Sequence, residues 1–358
     1  MTVSVAQALS AVAHAAAPHP AAVPAPAPPP ATPTPRPAPA PPCACPRPDV
    51  LADRPDGTVV RHGAVVAKSH APGTDRAALT ARIAAAAHPL LAGILLPPLP
   101  VPPEPSSAAR ATGPRGFTAE LHGRPVSLWP YGTPVDPDDP DAAPWEEAAT
   151  LLARLHATTP GALQLPAALP PMRGPAKAVR AVARMRASGP HPAGAATAVL
   201  RAWAGLPAWA RGEAPSPPAR TALCHGDLHL GQLVRAPSGS AREDRWLLID
   251  VDDLGLGDPA WDLARPAAWY AAGLLAPDVW NRFLGAYRAA GGAAVPPGGD
   301  PWPQLDVPAR ALTVQTAALA LAKSAAGERP LDEVEELVVD ACARIASLPP
   351  ELECEAPS

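Results

Sequence analysis

Apolar and polar positions change their spacing near residue 132. Upstream, short β-favouring runs alternate with turn signals. Val50-Leu51-Ala52, Thr58-Val59-Val60 and Ala64-Val65-Val66-Ala67-Lys68 are separated by Asp56-Gly57 and His62-Gly63. Asp-Gly marks a tight hairpin, because its turn needs residues that tolerate positive φ. A helix is expected over 74–87, with Thr74 or Asp75 as its N-cap. A further hairpin over 118–121 and 125–128 turns at His122-Gly123-Arg124 and runs into Trp129-Pro130-Tyr131-Gly132, which reads as a break in the fold.

Beyond that break the period becomes helical. Trp145, Ala148, Ala149, Leu152 and Leu155 share one helix face. Helices are expected over 145–156, 175–188, 193–204, 259–275, 279–290, 308–325 and 331–348, with two short strands at 223–224 and 246–249. A small β-rich lobe followed by a larger helical lobe is α+β in class. The expected division is a tail over 1–48, a first lobe over 49–132, a helical lobe over 133–348 and a short tail over 349–358.

Composition first complicates this picture and then sharpens it. Of 358 residues, 55 are Pro and 26 are Gly, and 15 of the Pro fall within residues 18–48. That stretch reads as an unpacked, polyproline-prone tail, since Pro removes backbone donors and Ala and Pro offer little to bury. The rest of the bias is a drift towards Ala, Pro, Arg and Gly: among 29 basic residues only Lys68, Lys177 and Lys323 are Lys. Against that background each Lys carries information. The net charge of −4 and the absence of a basic stripe argue against a nucleic-acid partner.

No apolar run free of Pro and charge is long enough for a membrane span. The first basic residue is Arg36, so the apolar start lacks the positive region of a secretory signal. Cys43, Cys45, Cys224, Cys342 and Cys354 form no disulfide framework. A cytoplasmic location follows as the expectation. Cys43-Ala-Cys45 reads as two thiols in a tail rather than as a metal or redox site.

The chemistry is concentrated in His225-Gly226-Asp227-Leu228-His229-Leu230-Gly231-Gln232 and in Leu248-Ile249-Asp250. An Asp just after a strand can present its carboxylate, Gln232 offers a neutral oxygen, and a second carboxylate ends the next strand. Two oxygen ligands and a separate base suit phosphoryl transfer, because Mg²⁺ takes oxygen donors while the base accepts an alcohol proton.

This pattern resembles the kinase-like core of the aminoglycoside phosphotransferase and choline kinase superfamily. The resemblance is carried by the His225–His229 wording and by Ile249-Asp250-Val251-Asp252-Asp253-Leu254-Gly255-Leu256-Gly257-Asp258-Pro259-Ala260-Trp261-Asp262-Leu263-Ala264. It extends to Gly123-Arg124-Pro125-Val126-Ser127-Leu128-Trp129-Pro130-Tyr131 and Leu151-Leu152-Ala153-Arg154-Leu155-His156.

The resemblance implies a two-lobed protein-kinase-like fold, with a small antiparallel β N-lobe and a larger helical C-lobe. It implies transfer of the γ-phosphoryl group of ATP, with Mg²⁺, to a hydroxyl of a small-molecule acceptor. Asp227 would be the catalytic base, and Asp250 and Gln232 the metal ligands, Gln232 standing where the family usually has Asn. Lys68 would hold the phosphates, and Trp129 and Tyr131 the adenine through a hinge. Asp262 would brace the catalytic loop, while His156 reads as a core histidine.

Two departures leave alternatives open. Residues 74–87 contain no Glu to pin Lys68, and the loop at 53–57 is short for a nucleotide cover. Both fit a pseudokinase that binds without turnover. The His225–Gln232 wording is also similar to that of the sugar kinases that phosphorylate maltose. The acidic residues Asp332, Glu333, Glu335 and Glu336 suit either a polycationic acceptor or a solvated helix face.

Overall fold

The computed structural model describes residues 4–17, 47–54, 56–101, 116–216, 221–237 and 244–347. Cys43, Cys45, Cys354, most of the Pro-rich stretch and the 349–358 tail lie outside them. The chain divides into two compact units, one formed by residues 1–76 and 97–131 and the other by 77–96 and 132–358.

The first unit is a five-stranded antiparallel sheet. Its strands are β1 (Asp49–Arg54), β2 (Gly57–His62), β3 (Val65–Ser69), β4 (Thr118–Leu121) and β5 (Arg124–Pro130), in the order β1-β2-β3-β5-β4. On β2 and β3 every second residue is buried, the period of a half-buried strand. Edge strand β1 exposes Val50 and Leu51, and a register shift between Val50 and Ala52 interrupts its pairing with β2. Such irregularity, with the charges of Asp49, Asp53 and Arg54, discourages further strand addition.

One element was not expected. Within the stretch read as a tail, Val5–Ala16 forms helix α1. Ser4 and Gln7 cap it reciprocally, each side chain bonding the other's backbone N–H. Leu9 and Ala13, one turn apart, are fully buried against Val60, Val65, Ala67, Val126 and Leu128. The apolar stripe of Val5–Ala16 therefore covers the sheet, and the reading of 1–48 as uniform tail is corrected for this segment.

The second unit is mainly helical: α2 (Arg76–Ala86, whose first residue belongs to the first unit), α3 (Trp145–Ala157), α4 (Gly174–Ala187), α5 (Ala195–Ala204), α6 (Ala260–Ala272), α7 (Pro277–Ala289), α8 (Trp302–Ala326) and α9 (Glu333–Ala346). Its core gathers Ala178, Val182 and Met185 of α4, Val199 and Trp203 of α5, Val314, Ala318 and Leu321 of α8, and Val338 and Cys342 of α9. Burial pushes the Cys342 thiol up to about 12, so it stays protonated and inert.

Helix α8 begins earlier than the sequence pattern suggests. The pattern predicts a start at Pro308, yet the helix starts at Trp302 and carries Pro308 inside it. An internal Pro forfeits one backbone bond. Here Leu305, fully buried, and Trp302, stacked on Tyr270 and Trp280, hold the extra turn.

Short strands tie the loops of this unit together. β7 (Ala222–Cys224) pairs with β10 (Gly255–Gly257), and β8 (Leu233–Arg235) lies between β6 (Thr133–Pro134) and β9 (Trp246–Leu248). β6, β8 and β10 are too short to carry a period of their own, and tertiary pairing creates them. At the unit boundary a Cβ on Gly132 would stand 2.5 Å from the Arg235 carbonyl, so only Gly lets β6 approach β8. Among the described residues no helix is long and apolar enough to cross a membrane.

Candidate active site

Antiparallel pairing of β7 with β10, Cys224 opposite Gly255, sets the two chemistry-bearing loops side by side. The first leaves β7 at His225-Gly226-Asp227. Gly226 has φ +83°, and a Cβ there would lie 2.3 Å from the Asp253 carbonyl oxygen. Glycine is needed at this position for both reasons.

Asp262, in the first turn of α6 and almost wholly buried, fixes this loop. Its carboxylate accepts from the His225 N–H at 2.6 Å and from the Gly226 N–H at 2.7 Å. His156 Nε2 lies 3.0 Å away. A carboxylate only accepts, so Nε2 carries the hydrogen, and Nδ1 lies 2.8 Å from the Tyr287 hydroxyl. Tyr287 in turn accepts from the Ala294 N–H at 2.9 Å. Burial is the largest influence on Asp262 and opposes its charge, but the bond from His156, the nearby His156 and His225 imidazoles and the Gly226 N–H together outweigh it and hold the carboxyl below its ordinary range.

His156 is thus buried, as its apolar helix implied, but it also orients the brace. His225 extends the scaffold, its Nε2 lying 2.8 Å from the Ile249 carbonyl. Arg82 of α2, itself buried, donates to the Leu254 carbonyl at 2.7 Å and fixes the second loop.

The atoms of His156, Cys224 and Asp262 lie within 4.8 Å of one another. Their bonds are committed to the brace, and burial pushes the Cys224 thiol well up, so this cluster is scaffold rather than a metal centre.

Asp227 faces two cations. Lys177 of α4 meets its Oδ2 at 2.6 Å and Arg265 of α6 its Oδ1 at 2.8 Å. Burial would raise its pKa, but these cations prevail and hold it at about 2. Lys177 also meets Asp253 Oδ2 at 2.7 Å, and Arg173 meets Asp253 Oδ1 at 3.2 Å. His229 is driven down to about 4, by burial first and then by Arg265, so it is neutral at neutral pH.

Asp250 and Gln232 come together across the β8–β9 ladder, where the Ile249 N–H donates to the Gln232 carbonyl at 2.9 Å. Asp250 sits in left-handed backbone, φ 61°, with its carboxylate towards the Asp252 N–H. A carboxylate and an amide oxygen are hard donors of the kind Mg²⁺ takes.

Asp227, Gln232 and Asp250 therefore share the second unit, while Lys68, Trp129 and Tyr131 belong to the first. Lys68 lies on β3 between Val59 and Ser127. Trp129 is buried and donates its indole N–H to Ser127 at 2.9 Å. The backbone N–H of Tyr131 donates to Ala64 at 2.8 Å, and the Arg61 guanidinium covers its ring at 3.5 Å.

Sequence reading missed Lys177, Arg173 and Arg265 as parts of the site. Only Lys177 offered a signal, as one of three Lys in the chain.

A β-sheet unit, a helical unit and paired carboxylate loops with a buried brace define a kinase-like phosphotransferase. The family model described as "Phosphotransferase enzyme family" matches residues 57–305, more than half of the chain. The chain belongs to that family, and is a small-molecule phosphotransferase acting on a hydroxyl group.

Solved structures are similar to the chain. Aminoglycoside phosphotransferase APH(4)-Ia is 12% identical at a TM-score of 0.51, over 85% of this chain and 94% of that one. Spectinomycin phosphotransferase APH(9)-Ia, solved with ADP and spectinomycin, is 12% identical at a TM-score of 0.50, over 84% and 92%. A choline/ethanolamine kinase family protein from Mesorhizobium loti is 18% identical over 85% and 89%, at a TM-score of 0.45. No curated protein sequence matches the chain.

Proposed function

We propose that the chain transfers the γ-phosphoryl group of ATP to a hydroxyl of a small polar acceptor, with Asp227 aligning that hydroxyl. The observation that carries this reading is the placement of Asp227 on a loop whose two preceding N–H groups are clamped by one buried carboxylate. A catalytic group must be held within a fraction of an ångström, and this brace supplies the rigidity.

A carboxylate at about pKa 2 is a poor ground-state base. Its work is orientation: it accepts the acceptor's O–H and takes the proton only as the oxygen–phosphorus bond forms. That suits a loose transition state, which asks little of a base. Asp250 and Gln232 would hold Mg²⁺, which, when bound, neutralises charge on the phosphates. Lys68 would bind the phosphates, and the 129–131 segment the adenine.

The test is turnover. Mg²⁺-dependent phosphorylation over a broad acceptor panel should fall about 10²-fold or more in Asp227→Asn. Equal rates in wild type and variant would refute the assignment. A stabilising shift with Mg²⁺–ATP but no turnover would instead favour the pseudokinase.

A further inference from the structure

Helix α4 carries one basic face. Arg173 at its N-cap, Lys177, Arg180 and Arg184 follow at i, i+4, i+7 and i+11, which stack along a single side. Ala178, Ala181, Val182 and Met185 bury the other side in the core. Basic residues along one helix face are ordinarily solvated, but here Lys177 is fastened to Asp227, and Arg173 and Lys177 both to Asp253 of the second loop. Arg265 closes on Asp227 from α6.

Charge in this corner does not balance. Asp227 and Asp253 answer Arg173, Lys177 and Arg265, and Arg180 stands beside them with no hydrogen bond or ion pair among the described residues. Arg180 is less basic than usual because of burial and then the nearby Arg173, with Asp253 only partly compensating. Local potential at this end of α4 is therefore positive. His229 adds no charge, since it is neutral above pH about 4. Asp250 and Asp252 are further carboxylates of the second loop, and a divalent cation, when bound there, would offset their charge.

We propose that the acceptor hydroxyl belongs to a molecule bearing an anionic group, a carboxylate or a phosphate, which the basic face of α4 receives beside Asp227. The inference rests on the phosphotransferase reading for the place of the acceptor. A polycationic acceptor would meet Lys177, Arg173, Arg180 and Arg265 at the very carboxylate it must reach. Like charges brought that close oppose binding, whereas an anion completes the pairing of Arg180 and competes with Asp227 and Asp253 for Lys177 and Arg173. Anionic acceptors thus also free Asp227 to take the hydroxyl.

Four probes with one polyol chain isolate charge: D-gluconate, D-glucitol 6-phosphate, D-glucitol and D-glucamine. Calorimetry on the full chain with Mg²⁺–ADP should give the two anions a Kd at least about tenfold below glucitol, and glucamine a Kd above it. The tighter anion tells carboxylate from phosphate. Arg180→Glu should erase most of that preference while the thermal shift with Mg²⁺–ADP stays unchanged. Glucamine binding as tightly as the anions, equal affinity or equal absence of binding for all four, or an unchanged preference in Arg180→Glu would each overturn the inference. Phosphoryl transfer is scored separately. Anion binding without phosphorylation of any acceptor sinks the phosphotransferase reading alone, whereas preferred phosphorylation of cationic acceptors sinks this inference alone.

Discussion

Replacing Asp262 with Asn tests the brace with almost no change of shape. The carboxylate takes three bonds at 2.6, 2.7 and 3.0 Å in a buried setting. An amide keeps one oxygen and presents an NH₂ where the other stood, so either the His225 or the Gly226 N–H faces a donor. One orphaned buried N–H costs about 1–3 kcal/mol, and the remaining bonds lose their charge assistance, so about 2–4 kcal/mol in all is expected.

Eight of the nine Trp lie in the second unit, so urea melts followed by Trp fluorescence report its unfolding. The pH dependence fixes the mechanism. Because the folded carboxyl lies below its ordinary range, its contribution is fully present above the unfolded Asp pKa and is lost as pH falls through the lower folded value. The gap between wild type and variant should stay constant from about pH 5 to 8 and narrow only in acid. Turnover should fall about 10²-fold with little change in ATP affinity, since a misplaced loop misaligns Asp227. A midpoint within about 0.5 kcal/mol of wild type, or a gap that closes between pH 5 and 8, would refute the reasoning.

Lys177→Met should cost about 1 kcal/mol at neutral pH, as roughly half of the depression that holds Asp227 at about 2. That cost should shrink below about pH 4, as Asp227 protonates in the unfolded chain first; a gap equally large at pH 3 and pH 7 would count against the ion pair. Leu9→Ala should weaken α1 docking by about 2–4 kcal/mol, read as faster amide exchange over Val5–Ala16, and unchanged exchange would deny α1 its place on the sheet.

The two carboxylate loops were legible because their chemistry is written within short contiguous stretches. Asp227 and Asp250 each follow a strand and Gln232 directly precedes one, and the wording around them is dense enough to carry a family resemblance. Helices α3 to α7 and α9 were legible because each buries one face and so keeps a helical period. β6, β8 and β10 were not, since two or three residues hold no period and exist only as partners.

Long-range pairing decided the rest. His156 meets Asp262 across 106 residues and Tyr287 across 131, and no local pattern tells such a His from an ordinary core residue. Arg265 reaches Asp227 across 38 residues, and Lys177 reaches Asp253 across 76. By itself the sequence determined which loops bear the candidate carboxylates and where most of the helices and longer strands lie, because local spacing and backbone preference settle both. Only the tertiary structure decided the charge around Asp227, because electrostatics depends on distance in space, and folding alone brings α4 and α6 to that carboxylate.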